Sequence, residues 1–273
     1  MVKKLFKHEF LAYMRALLPM HLIMLGIAAL TRFVYIFEDT SNLFNIVGTS
    51  SIVAFCVSCV VCLVLSGVNI ITRFYKNMFT HEGYLSFTLP VTVEQHIFVK
   101  MVTGIAVILA NVMFIIVGVC VATAGELTVE LFKAGFWILD IAAEEIGWHY
   151  WLFLIELFII AIVSIAAEIL LFYSCIAIGQ LSNKNRIILA IGVYFIYYFI
   201  TQVISTVLIA VMSIIGTQEW FASMMDAISM FSDTYPNAFV HMLLWSVIVF
   251  VGLLGLLYYF ITKKIMKSKL NLE

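Results

Sequence analysis

The chain has 273 residues, of which 64% are hydrophobic and only 11% are charged, with a mean hydropathy of +1.12 and a formal net charge of −1. Soluble domains are about 45–50% apolar and about 25% charged, so this composition excludes a soluble protein and indicates an integral membrane protein. A net charge so close to zero provides no basic field for nucleic acid, and none is expected as a partner.

Long apolar segments predict an all-α fold with six transmembrane helices. A hydrocarbon core of about 30 Å requires roughly 20 residues of helix. The predicted spans cover residues 17–37, 49–71, 101–123, 151–181, 187–215 and 239–262. Because no internal repeat, linker or low-complexity segment separates them, we predict a single transmembrane domain over residues 1–273.

Lysine and arginine fall almost entirely on one side of these spans, as they do in the cytoplasmic loops of membrane proteins. With both termini in the cytoplasm, only Lys133 lies outside and Arg32 lies late in the first span. The external segments then carry the acidic residues Glu38, Asp39, Glu126, Glu130, Asp140, Glu144, Glu145, Glu219, Asp226 and Asp233. We therefore predict a multi-pass protein with cytoplasmic termini.

Residues 1–16 predict an interfacial amphipathic helix. At 100° per residue, one side collects the apolar residues Val2, Phe6, Phe10, Tyr13, Met14 and Leu17. The rest of the surface holds Lys4, Lys7, His8, Glu9 and Arg15. Basic residues at such a position suit anionic lipid headgroups. Because no small-residue cleavage site follows, we expect this segment to be retained rather than removed as a signal peptide.

Two further segments, residues 124–150 and 216–238, are long and half apolar. We predict short external helices there, lying on the membrane or capping the spans. Trp148, Trp151 and Trp220 suit the aromatic belt of the membrane interface. An amphipathic substrate could meet these surfaces, but plain packing at the interface is the favoured explanation.

The cytoplasmic loop of residues 72–100 has an unusual amount of local structure. Pro90 disfavours helix in the residue before it, and Thr92 followed by Gln95 is a capping box that starts a new helix. A short helix is predicted before the proline, around residues 79–86, interrupted or terminated near Gly83. The loop is rich in aromatic and apolar residues, which indicates docking to another protein, with insertion into the membrane interface as the alternative.

The segment FYKNMFTHEGYLSFTLP and the lysine that leads into the third span resemble type-2 ABC exporter permeases. The matching residues are Glu82, Gly83, Leu89, Pro90, Thr92 and Lys100. The predicted spans and the amphipathic start agree with this family across the chain. Within it, the sequence is similar to small Gram-positive exporters of amphipathic peptides, such as the phenol-soluble modulin exporter.

This resemblance implies a coupling helix over residues 75–86 that seats in a groove of a separate ABC ATPase. The implied ATPase-coupling residues are Phe79, His81, Glu82, Gly83, Tyr84, Leu89 and Pro90. ATP and Mg²⁺ would be bound by the ATPase chain, and a second permease copy would complete the path. The implied function is ATP-driven export of amphipathic or hydrophobic substrates, peptides first, from a bacterial plasma membrane.

The sequence offers no catalytic motif. No P-loop pattern G-x-x-x-x-G-K-[ST] is present, and the H-E-x-x-H pattern of metalloproteases is incomplete. Cys56, Cys59 and Cys62 have the spacing of metal ligands, but they lie inside a predicted span and indicate apolar packing. We expect neither a catalytic nor a metal site. The alternative to an exporter is a non-pumping sensor or immunity protein that binds peptides through its external helices.

Two carboxylates fall within the fourth span. Glu156 lies near its outer end and is expected at the membrane interface, whereas Glu168 lies near mid-bilayer. An ionisable residue at that depth is a functional hypothesis by default. The sequence leaves two roles open for Glu168: a polar element of the translocation path, or a structural hydrogen bond to a neighbour such as Gln202 or Ser213.

Overall fold

The computed structural model describes residues 2–37, 42–88, 90–182 and 184–268, and every regular element in these ranges is helical. The helices are α1 (Val2–Tyr35), α2 (Asn42–Phe79), α3 (His81–Thr88), α4 (Val93–Ala122), α5 (Glu126–Ile146), α6 (Tyr150–Gly179), α7 (Arg186–Ile215), α8 (Glu219–Thr234) and α9 (Pro236–Ser268). A short 3₁₀ helix covers Gly147–His149. The predicted all-α fold is confirmed.

Six of these helices are long and apolar enough to cross a membrane: α1, α2 from Ile46, α4, α6, α7 and α9. They correspond in order to the predicted spans, and they contain 30 to 34 residues each. Since about 20 residues suffice to cross the hydrocarbon core, each helix is longer than a perpendicular crossing requires. The remaining helices, α3, α5 and α8, lie in the segments between spans where short helices were predicted.

Helix α1 is continuous, so the predicted interfacial helix of residues 1–16 is not a separate element. One buried stripe runs along its whole length, formed by Glu9, Tyr13, Leu17, His21, Met24, Ala28 and Thr31. These positions recur every three or four residues, which is the spacing of one helix face. The same face therefore packs on both sides of Pro19, and this packing accounts for a helix that continues through a proline.

The chain divides into two compact units, an N-terminal unit of Met1–Glu144 and a C-terminal unit of Glu145–Glu273. In the N-terminal unit, α1, α2 and α4 pack against one another, and α3 packs against α2. The core between α1 and α2 includes Met24, Phe55 and Cys62. Cys62 is therefore a buried packing residue, as predicted, whereas Cys59 is half-buried and Cys56 is exposed.

In the C-terminal unit, α6 packs against both α7 and α9, and α8 packs against α9. The turn from α6 to α7 requires a residue without a side chain at Gly179. A Cβ atom there would lie 2.7 Å from the carbonyl oxygen of Arg186 and 2.7 Å from the Cβ atom of Ala190. The close approach of the two helices at this turn therefore depends on glycine.

Basic residues collect at one end of each unit. In the N-terminal unit this end is the start of α1, the end of α2 and the start of α4. In the C-terminal unit it is the start of α7 and the end of α9. The charge asymmetry predicted along the sequence is thus also present in each packed unit. Of the charged residues used in that prediction, Glu38, Asp39 and Lys269 lie outside the described residues.

Candidate functional site

The segment between α2 and α4 contains the predicted coupling residues. Helix α3 begins at His81, and the Gly83 N–H donates a hydrogen bond to the Thr80 carbonyl at 2.7 Å. The predicted interruption or end near Gly83 is misplaced, because the break between α2 and α3 lies at Thr80, and Gly83 is in the first turn of α3, which continues to Thr88. The helix ends two residues before Pro90, as expected for a chain approaching a proline.

The predicted capping box at the start of α4 is confirmed. The Gln95 N–H donates to the Thr92 hydroxyl at 3.3 Å, and the Thr92 N–H donates to the Gln95 side-chain oxygen at 3.0 Å. These two bonds satisfy backbone donors that a helix start leaves without partners. They fix the point at which the chain turns from α3 into α4.

The predicted coupling residues differ in exposure. His81, Glu82 and Pro90 are exposed, and Tyr84 is 55% exposed. Leu85 was not among the predicted residues, yet it is 73% exposed on the same helix. Gly83 and Phe79 are buried, and the rings of Phe79 and Phe74 pack edge to face at 5.8 Å. Leu89 lies outside the described residues. Phe79 therefore anchors α2, while the exposed residues of α3 provide a surface.

Helix α3 also contacts α4 through its side chains. The Phe87 ring lies 6.0 Å from the ring of His96, which is buried near the start of α4. The Glu82 carboxylate is close enough to Lys100 in α4 to act on it electrostatically. Helix α3 is therefore linked to α4 by a side-chain contact as well as to α2 through the chain.

A buried ionic cluster joins the same ends of α1, α2 and α4. One carboxylate oxygen of Glu9 accepts from Lys100 Nζ at 2.8 Å and from Asn77 Nδ2 at 3.1 Å. The other accepts from Arg73, through Nε at 3.3 Å and through the guanidinium NH2 group at 3.2 Å. The Arg73 guanidinium also lies over the Tyr13 ring, 4.9 Å from its centroid. Each oxygen of this carboxylate thus has two donors.

The sequence did not predict this cluster. Glu9 was placed on the polar side of an interfacial helix, and Lys100 was expected at the membrane interface. Both are buried, Lys100 to 1% exposure. The signal available in the sequence was charge: Glu9 is the one acidic residue among the basic residues of the N-terminal segment 1–16. Pairing with a cation from another helix is the way to bury such a carboxylate.

A second polar network lies deeper in the N-terminal unit. Asn111 in α4 donates from Nδ2 to the Ser66 hydroxyl at 2.8 Å and to the Cys62 carbonyl at 3.1 Å. Its Oδ1 lies 3.2 Å from Nε2 of His21, whose Nδ1 lies 2.8 Å from the Leu17 carbonyl oxygen. Asn111 thereby connects α4 to both α1 and α2. Together with the ionic cluster, this network ties three spans into one body.

In the C-terminal unit, Glu168 lies on an exposed position of α6 and faces a cleft of about 210 Å³ between α6, α7 and α9. Tyr197 and Tyr258 line the same cleft, and the Tyr258 hydroxyl donates to the Tyr197 hydroxyl at 2.7 Å. Among the described residues, no hydrogen bond joins Glu168 to Gln202 or Ser213, both of which are exposed on α7.

Glu156, which was expected at the membrane interface, is enclosed by protein near the start of α6. Its carboxylate is buried and lies 2.6 Å from Nδ1 of His241 in α9. The ring of His149 lies 5.5 Å from the ring of His241. Within the described parts of the chain, no group of three histidine, cysteine, aspartate or glutamate side chains is placed to hold a metal ion. The pair instead joins α6 to α9.

The six long apolar helices indicate a multi-pass helical membrane protein. No protein-family model, no curated protein and no solved structure matches the chain. The function therefore has to be inferred from the residues and their geometry.

Proposed function

We propose that the chain is the permease subunit of an ATP-driven ABC exporter in a bacterial plasma membrane, with both termini in the cytoplasm. A separate ATPase chain binds ATP and Mg²⁺, and a second permease copy completes the translocation path. The substrates are amphipathic or hydrophobic molecules, with peptides as the first choice. The proposal starts from the resemblance of residues 74–90 to such permeases.

The observation that carries this proposal is the exposed surface of α3. His81, Glu82, Tyr84 and Leu85 are exposed on a short helix between two spans. A connection between two helices needs only a few residues, whereas this one holds a helix of its own and a capped restart. An aromatic residue beside a carboxylate, with apolar neighbours, is a composition suited to a protein contact.

The contacts around α3 support a route from this surface to the membrane. Helix α3 packs on α2 and touches α4 through Phe87 and His96. At the same ends of the helices, Glu9 links α1 to Arg73 of α2 and Lys100 of α4. A push on α3 by the ATPase would therefore move three connected helices, instead of bending one loop.

The test replaces the two polar contact residues, Glu82→Ala with Tyr84→Ala. A matched control replaces another exposed glutamate–aromatic pair, Glu219→Ala with Trp220→Ala on α8. Each variant is purified from its native membrane, and the retained ATPase chain and its ATP hydrolysis are measured. Loss of an aromatic anchor commonly costs about 2 kcal/mol or more of binding free energy, so we expect retention to fall about tenfold or more.

The control pair should retain the ATPase at the level of the unchanged protein, and both variants should reach the membrane in normal amounts. Equal retention and equal ATP hydrolysis in the α3 variant and the control would contradict the proposed coupling surface. If only the α8 variant lost the ATPase, the contact would lie on the side of the membrane that we predict to be external. The predicted orientation would then be wrong as well.

A further inference from the structure

The cleft beside Glu168 has features that the coupling surface does not explain. Glu168 and Tyr197 each lie roughly 16 Å along their helices from the turn that joins α6 to α7, at 1.5 Å per residue. Both side chains therefore line the cleft at one depth, inside segments apolar enough to span a membrane. A carboxylate at that depth is costly unless a positive charge or a proton accompanies it.

The described part of the C-terminal unit places no lysine or arginine at that depth. Its described cations lie at helix ends, in Lys184, Arg186, Lys263, Lys264 and Lys267. The ion pairs of the described residues join Glu9 to Arg73 and Lys100, and Glu156 to His241, and none includes Glu168. The carboxylate is exposed and open to a group from outside the unit.

The surroundings of Glu168 are suited to a cation. Tyr194 and Tyr258 both lie within electrostatic range of its carboxylate. Tyr258 is buried and donates its hydroxyl hydrogen to Tyr197, so the Tyr197 hydroxyl can direct its own hydrogen to an acceptor in the cleft. Aromatic rings attract a cation that lies over their faces, and a nearby carboxylate adds a counter-charge.

We infer that this cleft binds the positively charged group of a cationic amphipathic molecule whose apolar part lies between α7 and α9 or in the adjoining lipid. A primary ammonium group, as on a lysine side chain, fits this chemistry. The inference that such molecules are transported rests on the proposed exporter function. The inference that they bind in the cleft concerns this chain alone.

The test uses the purified chain alone in nanodiscs of zwitterionic phosphatidylcholine. The probe is a dodecylammonium that carries a diazirine on its alkyl chain, and the matched controls are the corresponding neutral alcohol and anionic sulfate. After photolysis, mass spectrometry locates the label. We expect the ammonium probe to label residues of the cleft at least fivefold more than either control.

The variant Glu168→Gln should reduce this labelling at least fivefold, because it removes the charge and keeps the shape. Glu130→Gln, an exposed carboxylate on α5, should leave it unchanged. Tyr197→Leu, which removes a ring and a hydroxyl, should reduce it about threefold and tests the site even if the first variant fails to fold. Equal labelling by the ammonium and alcohol probes, or unchanged labelling in Glu168→Gln, would overturn the inference.

A third outcome identifies a different occupant. If Glu168→Gln converts a dimer to a monomer and leaves the labelling unchanged, a second copy of the chain satisfies the carboxylate, and the inference is wrong. Because no ATPase is present in this experiment, its failure is distinct from failure of the exporter proposal. Conversely, specific labelling would stand even if no ATPase chain were found.

Discussion

Replacing Glu9 with glutamine is expected to lower the free energy of unfolding by about 3–5 kcal/mol, the usual effect of removing one partner of a buried ion pair. Lys100 is 1% exposed, so its ammonium group would remain buried without a counter-charge. Arg73 loses the same partner, but its side chain is 27% exposed and can turn to water. The measurement is thermal unfolding of the purified chain in detergent.

Two further variants separate a buried-charge effect from a general loss of packing. Glu82→Gln removes an exposed carboxylate near the same lysine and should change stability by less than about 0.5 kcal/mol. Adding Lys100→Met to Glu9→Gln removes the stranded charge and should restore most of the lost stability, since apolar replacements of buried pairs are often neutral. A double variant as unstable as the sum of the two single variants would contradict the buried pair.

Replacing His241 with alanine is expected to destabilise the C-terminal unit by about 3 kcal/mol, because the buried Glu156 carboxyl group loses its hydrogen-bond partner. The Glu156 side chain is 1% exposed, and its Oε2 lies 2.6 Å from His241 Nδ1. Its other oxygen, Oε1, has no hydrogen-bond partner among the described residues. No second hydrogen bond of the carboxyl group therefore makes up for the loss of His241. Thermal unfolding of the purified chain again provides the measurement.

The matched controls for this second prediction are also histidine substitutions. His241→Gln keeps a side-chain donor within reach of Glu156, so the carboxyl group is not left without a partner. Its cost should be smaller, roughly 1 kcal/mol, for the change in hydrogen-bond geometry. His8→Ala removes an exposed histidine from α1 and should have almost no effect. If His241→Ala were as stable as His8→Ala, the Glu156–His241 contact would not hold α6 to α9.

The spans and the restart at Thr92 were predictable because each depends on nearby residues. Membrane crossing requires a continuous apolar helix, which hydropathy detects directly. A capping box needs only the spacing from Thr92 to Gln95. The extent of α3 was harder to predict: Gly83 suggested a helix end, but a glycine in the first turn is tolerated when the rest of the helix packs on α2.

The polar clusters were not predictable at the level of individual partners. Glu9 pairs with Arg73 and Lys100, which are 64 and 91 positions away along the chain. Glu156 pairs with His241, 85 positions away. Sequence patterning placed these residues near the ends of their helices, but for Glu9 several cations were available at the same end. Which of them pairs with the carboxylate depends on how the helices pack, and the residues near Glu9 in the sequence do not reveal that packing.

The most direct test of the exporter proposal is to purify the chain gently from its native membrane and identify what accompanies it by mass spectrometry. We predict a second chain in stoichiometric amount that contains a P-loop and hydrolyses ATP. The absence of any such chain, together with the absence of ATP hydrolysis, would contradict the proposal and favour a membrane sensor that binds peptides without transporting them.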